Sequence, residues 1–182
     1  MSNIYVALLR GINVGGNNKV SMQTLKEVFE KAGMESVITY INSGNVIFKS
    51  KLSDPHKISE ILEAAIHHQF KFNIKVVIKE MRTIKKIVET LPDSWKNDAE
   101  MKCDVMFLWN EVDKKEVIED LTINSDIDNV KYVEGAVLWM VDKKNVTRSG
   151  IMKLVGTKLY SQMTIRNCNT ARKIYSLMEG LE

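Results

Sequence analysis

Cysteine is scarce in this chain. Its 182 residues include two, Cys103 and Cys168, far apart and in no CxxC or Cys/His spacing. That excludes a disulfide framework or zinc site readable from sequence and points to a reducing cytoplasm. Proline also numbers two, and each punctuates a helix: Pro55 follows Asp54 at a helix start, and Pro92 stops a helix. No apolar run approaches the ~20 residues that cross a bilayer, and residues 1–9 lack the basic region that opens a signal peptide. No membrane association is therefore expected. An excess of positive charge is nearly absent too. Lys and Arg total 26 against 23 Asp and Glu, giving a net charge of +3 and a pI of about 8.7, short of the pI above ~9 of a dedicated nucleic-acid domain.

Catalytic and metal-binding templates are missing as well. The three histidines, His56, His67 and His68, lie on or beside one predicted helix without an HExxH pattern. The adjacent His67 and His68 face different ways, so no metal is expected. There is no GxSxG elbow and no activated-cysteine context. No nucleophile or general base can be named and no cofactor is implied, and the sequence leaves open whether the protein is an enzyme. Asp126 and Asp128 fall in a turn-like NSDID segment, where solvation or turn formation is the ordinary role.

What the sequence does contain is 45% hydrophobic and 27% charged residues, enough for a sizeable core, and one unusual loop. Residues 7–19, ALLRGINVGGNNK, run from an apolar strand through three glycines and three asparagines to a helix start. Glycine reaches positive φ freely and Asn tolerates it, so the loop can fold tightly against a ligand, and a helix N-terminus adds partial positive charge. Lys19 stands two positions too late for a P-loop, and the dinucleotide GxGxxG is absent. The expectation that remains is generic. Arg10 supplies charge, Gly15 and Gly16 supply backbone N–H groups, Asn13, Asn17 and Asn18 supply neutral donors and acceptors, and Lys19 stands beside the helix start; an anion suits this set. A tight strand-to-helix connection with packing glycines and turn-capping asparagines is the competing reading. The loop's length, beyond the usual ~2–6 residues, is the argument for a ligand.

Hydrophobic periodicity predicts the order of elements. A strand at 4–9 precedes a helix carrying Met22, Leu25, Val28, Phe29 and Ala32, capped by Ser21 and stopped by Gly33. Strands at 37–41 and 46–48 flank the hairpin turn Asn42-Ser43-Gly44-Asn45. A helix opening at Asp54-Pro55 carries Ile58, Ile61, Leu62, Ala65, Ile66, Gln69 and Phe70, and a strand follows at 74–79. This is β-α-β-β-α-β, the ferredoxin-like unit. A further helix carries Ile84, Ile87, Val88 and Leu91. The pattern then begins again: strand 103–109, helix 114–121, a hairpin of 130–133 and 136–141 around Glu134-Gly135, a helical stripe over 151–160 broken by Gly156, strand 163–166 and helix 170–178. Val76-Val77-Ile78-Lys79 followed by TIKKIV echoes Met163-Thr164-Ile165-Arg166 followed by TARKIY, with Thr five residues after the strand isoleucine in both.

The predicted fold class is therefore α+β: a tandem duplication of a ferredoxin-like unit, each copy followed by an extra helix, forming two packed lobes. The lobes are expected at 1–92 and 101–182, joined by a polar linker at 93–100. Both faces of the central strands are apolar, with Ile4, Val6 and Leu8 opposing Tyr5, Ala7 and Leu9. Such a sheet needs cover from a second direction: the other lobe, giving a monomer, or a second copy, giving a homodimer. An open sheet bearing Tyr5 and Phe48 also evokes RNA-recognition folds, although the basic-Gly-aromatic octapeptide is missing; core packing against the second lobe is the favoured role for these rings.

Two more polar clusters fall where strands end. Ser43, Gly44 and Asn45 form the first hairpin tip, and Thr164, Arg166, Asn167, Asn169 and Thr170 cross into the last helix, where Asn167 or Asn169 suits an N-cap. Lys143, Lys144 and Arg148 form a small basic loop of the kind usually solvated.

LLRGINVGGNNKVSM (residues 8–22), TYINSGNVIF (39–48) and TIRNCNT (164–170) together resemble the bacterial "domain of unknown function 1697" family, over essentially the whole chain. The resemblance implies two ferredoxin-like subdomains. It also implies signature positions at Arg10, Gly11, Asn13, Gly15, Gly16, Ser43, Gly44 and Asn45, with a second set at Thr164, Arg166, Asn167 and Thr170. The family usually carries an aromatic, commonly Trp, where this chain has Cys168, a change that would alter the edge of any pocket there. It implies no settled activity. The functional expectation is a small anionic, phosphate-bearing ligand or nucleotide, held by Arg10, Asn13, Gly15, Gly16, Lys19, Ser43, Gly44, Asn45, Thr164, Arg166 and Asn167. Nucleic-acid binding and a non-catalytic protein–protein scaffold are the alternatives.

Overall fold

The computed structural model describes residues 2–182. Strand β1 (Asn3–Leu9) alternates its side chains between two faces, and Tyr5, Val6, Ala7, Leu8 and Leu9 are all fully buried. Helix α1 (Met22–Lys31) begins where Ser21 Oγ accepts the Thr24 amide at 3.3 Å; it buries Leu25, Val28 and Phe29 and ends before Gly33, whose φ of 90° only glycine adopts without strain. Strands β2 (Glu35–Tyr40) and β3 (Asn45–Ser50) form a hairpin. Asp54 Oδ1 caps helix α2 (Pro55–Phe70) by accepting the His56 amide at 2.9 Å, and Ile58, Leu62 and Ile66 make its buried stripe. Strand β4 (Val76–Glu80) completes an antiparallel sheet ordered β2-β3-β1-β4, the ferredoxin-like order.

The helix-facing side of this sheet holds the first core: Tyr5, Ala7, Leu9, Val46, Phe48, Val76 and Ile78 pack with the stripes of α1 and α2. The Tyr5 and Phe48 rings stack at 5.8 Å, Phe29 meets Phe48 edge-on at 5.7 Å, and the Tyr5 hydroxyl donates to Leu52 O at 3.0 Å. This corrects the expectation for both aromatics. Their partners are helices of their own unit, and the sheet is left without the stacking pair on which an RNA-recognition role would rest.

Helix α3 (Met81–Thr90) follows β4 without a loop. The second sheet contains β5 (Met101–Leu108), β6 (Asn129–Val133), β7 (Ala136–Asp142) and β8 (Met163–Asn167), ordered β6-β7-β5-β8, the same pattern as the first; helix α4 (Cys168–Glu179) follows β8 directly. In both copies the echoed Thr, Thr83 and Thr170, is the third residue of the helix after the sheet's last strand. The chain is thus an α+β protein with two ferredoxin-like sheets. Two predicted helices are missing from the second copy. Residues 114–121 give only a 3-10 segment at Lys115–Asp120, and 151–160 give two short ones, Gly150–Lys153 and Leu159–Gln162. The first stretch is too short to repay helix nucleation, and the second is broken by Gly156 at φ 86°. Val117, Leu121, Ile151, Leu154 and Leu159 from these irregular segments still pack on Met106, Leu108, Val137 and Trp139 of the sheet.

Internal contacts divide the chain into a first unit, Met1–Met81 with Ile174–Glu182, and a second, Arg82–Lys173. The break falls at Met81/Arg82, ahead of the polar stretch 93–100 that composition marks out, and residues 174–182 belong with the first unit. Among the described residues no helix is long and apolar enough to cross a membrane.

Candidate functional site

The Gly-rich loop leaves β1 at Arg10, whose amide donates to Lys75 O at 3.0 Å, and folds as a miniature hairpin. The Asn13 amide donates to Asn18 O and the Asn17 amide to Val14 O, both at 3.1 Å. Gly15 and Gly16 form the tip with φ of 59° and 78°, the two positive values that a tight two-residue hairpin turn requires. Asn13 and Asn18, also left-handed at φ 53° and 47°, fasten the loop with their side chains. Asn13 Nδ2 donates to Val20 O at 3.0 Å and to Asn42 O at 2.9 Å, while its Oδ1 accepts the Val20 amide at 2.8 Å. Asn18 Nδ2 donates to Gly11 O at 3.0 Å. The side chains of Asn13 and Asn18 therefore hold the loop's shape.

The bond from Asn13 to Asn42 ties this loop to the β2–β3 tip. Ser43, Gly44 and Asn45 have structural roles there: Asn45 Nδ2 donates to Tyr40 O at 3.0 Å and Ser43 Oγ at 3.1 Å, and Gly44 O accepts the Leu9 amide at 2.9 Å. The turn is Ile41–Gly44, one residue earlier than composition suggests, with Ile41 left-handed at φ 49°. A β-branched residue in that region stores strain, and strain of this kind gathers at functional sites.

Between the hairpin loop and the start of α1 lies a cleft of about 520 Å³ lined by Asn13, Gly16, Lys19, Val20, Ser21, Met22 and Asn42. Lys19 is exposed, and no carboxylate within salt-bridge reach neutralises it among the described residues. Its ammonium and the partial positive charge of the α1 N-terminus act in the same place and with the same sign. Of the residues the sequence offers for a ligand, Asn13, Gly16 and Lys19 line this cleft, whereas Arg10 stands half-buried at the end of β1 and Gly15 at the exposed tip. Ser21 reads as a cap and Asn42 as a turn residue, and only the folded loop puts them on one cleft.

The third cluster belongs to the second unit. Arg166 is buried on β8, where Nη1 donates to Thr164 Oγ1 at 3.0 Å and to Ile165 O at 2.9 Å, and burial lowers its pKa to about 10. Asn167 is the N-cap of α4, its Oδ1 accepting the Thr170 amide at 2.9 Å. The basic residues Lys143 and Lys144 border a separate cleft of about 360 Å³ that also carries Glu100 and Asp142, so charge there is mixed. Among the described residues no three His, Cys, Asp or Glu side chains gather closely enough to hold a metal ion.

These features define the class: an α+β protein of two ferredoxin-like sheets, with a stapled polar loop between the first strand and first helix. Residues 2–139 match the family described as "Protein of unknown function (DUF1697)", and the chain belongs to that family. Residues 164–170 lie beyond the matched segment. The chain is also similar to the solved structure of the conserved bacterial protein SP0830 from Streptococcus pneumoniae, with a TM-score of 0.83 and 29% identity, covering 98% of this chain and 99% of that one. No curated protein matches this chain.

Proposed function

We propose that the protein, acting in a reducing cytoplasm, binds a small anionic, phosphate-bearing ligand in the cleft beside α1. The observation that carries this reading is the unneutralised Lys19 ammonium at a helix N-terminus, on a cleft whose walls are set by side-chain staples from Asn13 and Asn18. A loop held rigid before the ligand arrives loses little entropy on binding. Lys19 supplies charge, Gly16 allows close backbone approach and Ser21 offers a hydroxyl; Asn13 is a positioning residue.

The test is thermal unfolding of wild type and Lys19→Ala with inorganic phosphate, sugar phosphates and nucleotides at fixed ionic strength. A ligand at ~100 times its dissociation constant adds ~2.7 kcal/mol, a rise of roughly 5–10 °C for a chain this size. The expected result is a rise in wild type that Lys19→Ala abolishes. No rise with any compound, or an equal rise in both proteins, overturns the proposal.

A second reading draws on Val14 and Ile41, which expose 65% and 47% of their surface at the tips of the two tied loops. Exposed apolar side chains on neighbouring tips suit a protein partner. That reading predicts that Val14→Asp with Ile41→Asp abolishes capture of a partner while Lys19→Ala does not.

A further inference from the structure

Cys103 and Cys168, 65 residues apart in sequence, meet in the second unit. Asp104 on β5 stands opposite Asn167 on β8, and the two cysteines lie one residue beyond that pair, Cys103 on β5 and Cys168 as the first residue of α4. Their thiols hydrogen-bond to each other, and both are free and buried. The β5–β8 ladder ends at Asp104 and Asn167, so the two cysteines sit just past its last paired residues, where the two chain segments are still neighbours. Adjacency to the last ladder pair and the interaction between the two thiols bring the sulfurs together within the second unit.

The surroundings differ for the two sulfurs. Arg172, one turn along α4, places Nη1 3.5 Å from Cys168 Sγ. The hydrogen bond from Cys103 is the main cause lowering the Cys168 thiol below its ordinary value; burial opposes it and the Arg172 cation assists. Cys103 is shifted the other way by the same hydrogen bond and by burial. Deprotonation is thus favoured at Cys168 over Cys103, with the Cys168 thiol when protonated donating to Trp95 O at 3.7 Å and Asn169 Oδ1 at 3.6 Å.

The cover over the pair is irregular chain. Arg172 donates to Trp95 O at 2.9 Å and to Pro92 O at 3.0 Å, Asn169 Nδ2 donates to Asn97 O at 2.8 Å, and Asn97 Oδ1 accepts the Cys103 amide at 3.4 Å. The strap has no sheet or helix ladder of its own, although the buried Trp95 and the Trp95 N–H to Pro92 O and Asp98 N–H to Met101 O bonds also anchor it, and such a segment opens at lower cost than the strands beneath it. Local opening of this strap is the step by which a small oxidant would reach the buried Cys168.

We propose that Cys103 and Cys168 form a peroxide-reactive dithiol that closes reversibly to an intramolecular disulfide. The Cys168 thiolate attacks one oxygen of hydrogen peroxide. The O–O bond breaks, leaving a sulfenic acid on Cys168 and a hydroxide that takes up the thiol proton as water. Cys103 sulfur then attacks Cys168 sulfur; the S–S bond forms, the S–O bond breaks, and a second water leaves with the Cys103 proton. The two thiols lose two electrons and two protons to the peroxide. A small-molecule thiol restores the pair by exchange.

The experiment treats the folded, full-length protein with hydrogen peroxide, alkylates remaining thiols in denaturant, digests it and identifies the peptides. The expected result is one cross-linked pair joining Cys103 to Cys168, lost on treatment with dithiothreitol. In Cys103→Ser a sulfenic acid on Cys168 should be trapped by dimedone, and in Cys168→Ser the remaining Cys103 should stay fully alkylatable. Both wild-type thiols remaining alkylatable, a cross-link between chains only, or irreversible sulfinic acid in place of the cross-link would each overturn the proposal. The wild-type result does not depend on either variant folding.

Discussion

A Cβ built on Gly44 would lie 2.7 Å from Ile12 Cδ1 and 2.8 Å from Leu9 Cβ, and the backbone there has φ 83°. Gly16 has a comparable φ of 78° but open space around it. Two glycines of the same motif thus have different physical duties. Gly44→Ala adds an overpacked contact to backbone strain and should cost about 2–4 kcal/mol, whereas Gly16→Ala carries strain alone and should cost about 1–2 kcal/mol. Urea midpoints of the two variants check the difference, and equal losses would count against the packing role of Gly44. Sequence reasoning found both glycines from composition. It could not separate them, because the distinction lies in Leu9 and Ile12, which reach Gly44 only after β1 pairs with β3.

At the scale of elements, the irregular connections of the second unit are organised by one carboxylate. Asp128 Oδ1 accepts from Ser149 Oγ at 2.5 Å and Trp139 Nε1 at 3.0 Å, and Oδ2 accepts the amides of Asn124 at 2.8 Å and Gly150 at 2.9 Å. These bonds tie the segment before β6 to β7 and to the 3-10 turn at Gly150–Lys153. Burial pushes the Asp128 carboxyl up, but the bonds from Ser149, Asn124, Trp139 and Gly150 outweigh it and hold the group below the usual carboxylate range. In Asp128→Asn the NH₂ faces either the Trp139 N–H beside the Ser149 hydroxyl or the two backbone amides of Asn124 and Gly150, so at least one buried donor loses its acceptor and a loss of about 2–4 kcal/mol is expected. Because the folded-state pKa is depressed, the carboxylate's contribution is complete above the unfolded value of about 3.9 and disappears as pH falls through the folded value. The stability gap between wild type and Asp128→Asn, measured in urea at a series of pH values, should therefore narrow below pH ~4; a constant gap would refute the assignment. The NSDID segment reads as a turn, and Asp128 does help make one. Of its remaining partners, Trp139 is placed by the β6–β7 register and Ser149 and Gly150 by the irregular connection after β7, neither of which a local pattern announces.

For the molecule as a whole, the last nine residues, 174–182, belong to the unit that contains β1 to β4. Ile174 and Met178 in that segment are both fully buried. Each buried side chain of this size is worth about 1.5–3 kcal/mol, so a chain ending at Lys173 should lose roughly 3–6 kcal/mol, a large part of an ordinary domain's net stability. Thermal melts followed by circular dichroism decide it: a truncated chain melting with wild-type cooperativity and midpoint would show that the segment contributes little.

The sequence by itself determined the strands, the caps at Ser21 and Asp54, the stop at Gly33 and the duplicated order of elements, and narrowed the last helix's cap to Asn167 or Asn169. Each of these is a signal carried by neighbours within a few residues, and caps and alternation act through local hydrogen bonds and side-chain direction. It overestimated helix in the second copy, where a short apolar stripe and Gly156 could not sustain the element and packing against Met106 and Trp139 accepted 3-10 turns instead. Only the tertiary structure decided that Asn13 reaches Asn42, that Asp128 gathers Ser149 and Trp139, and that Cys103 touches Cys168. Those meetings depend on which strands pair and in what register, a property of long-range burial that no single segment contains.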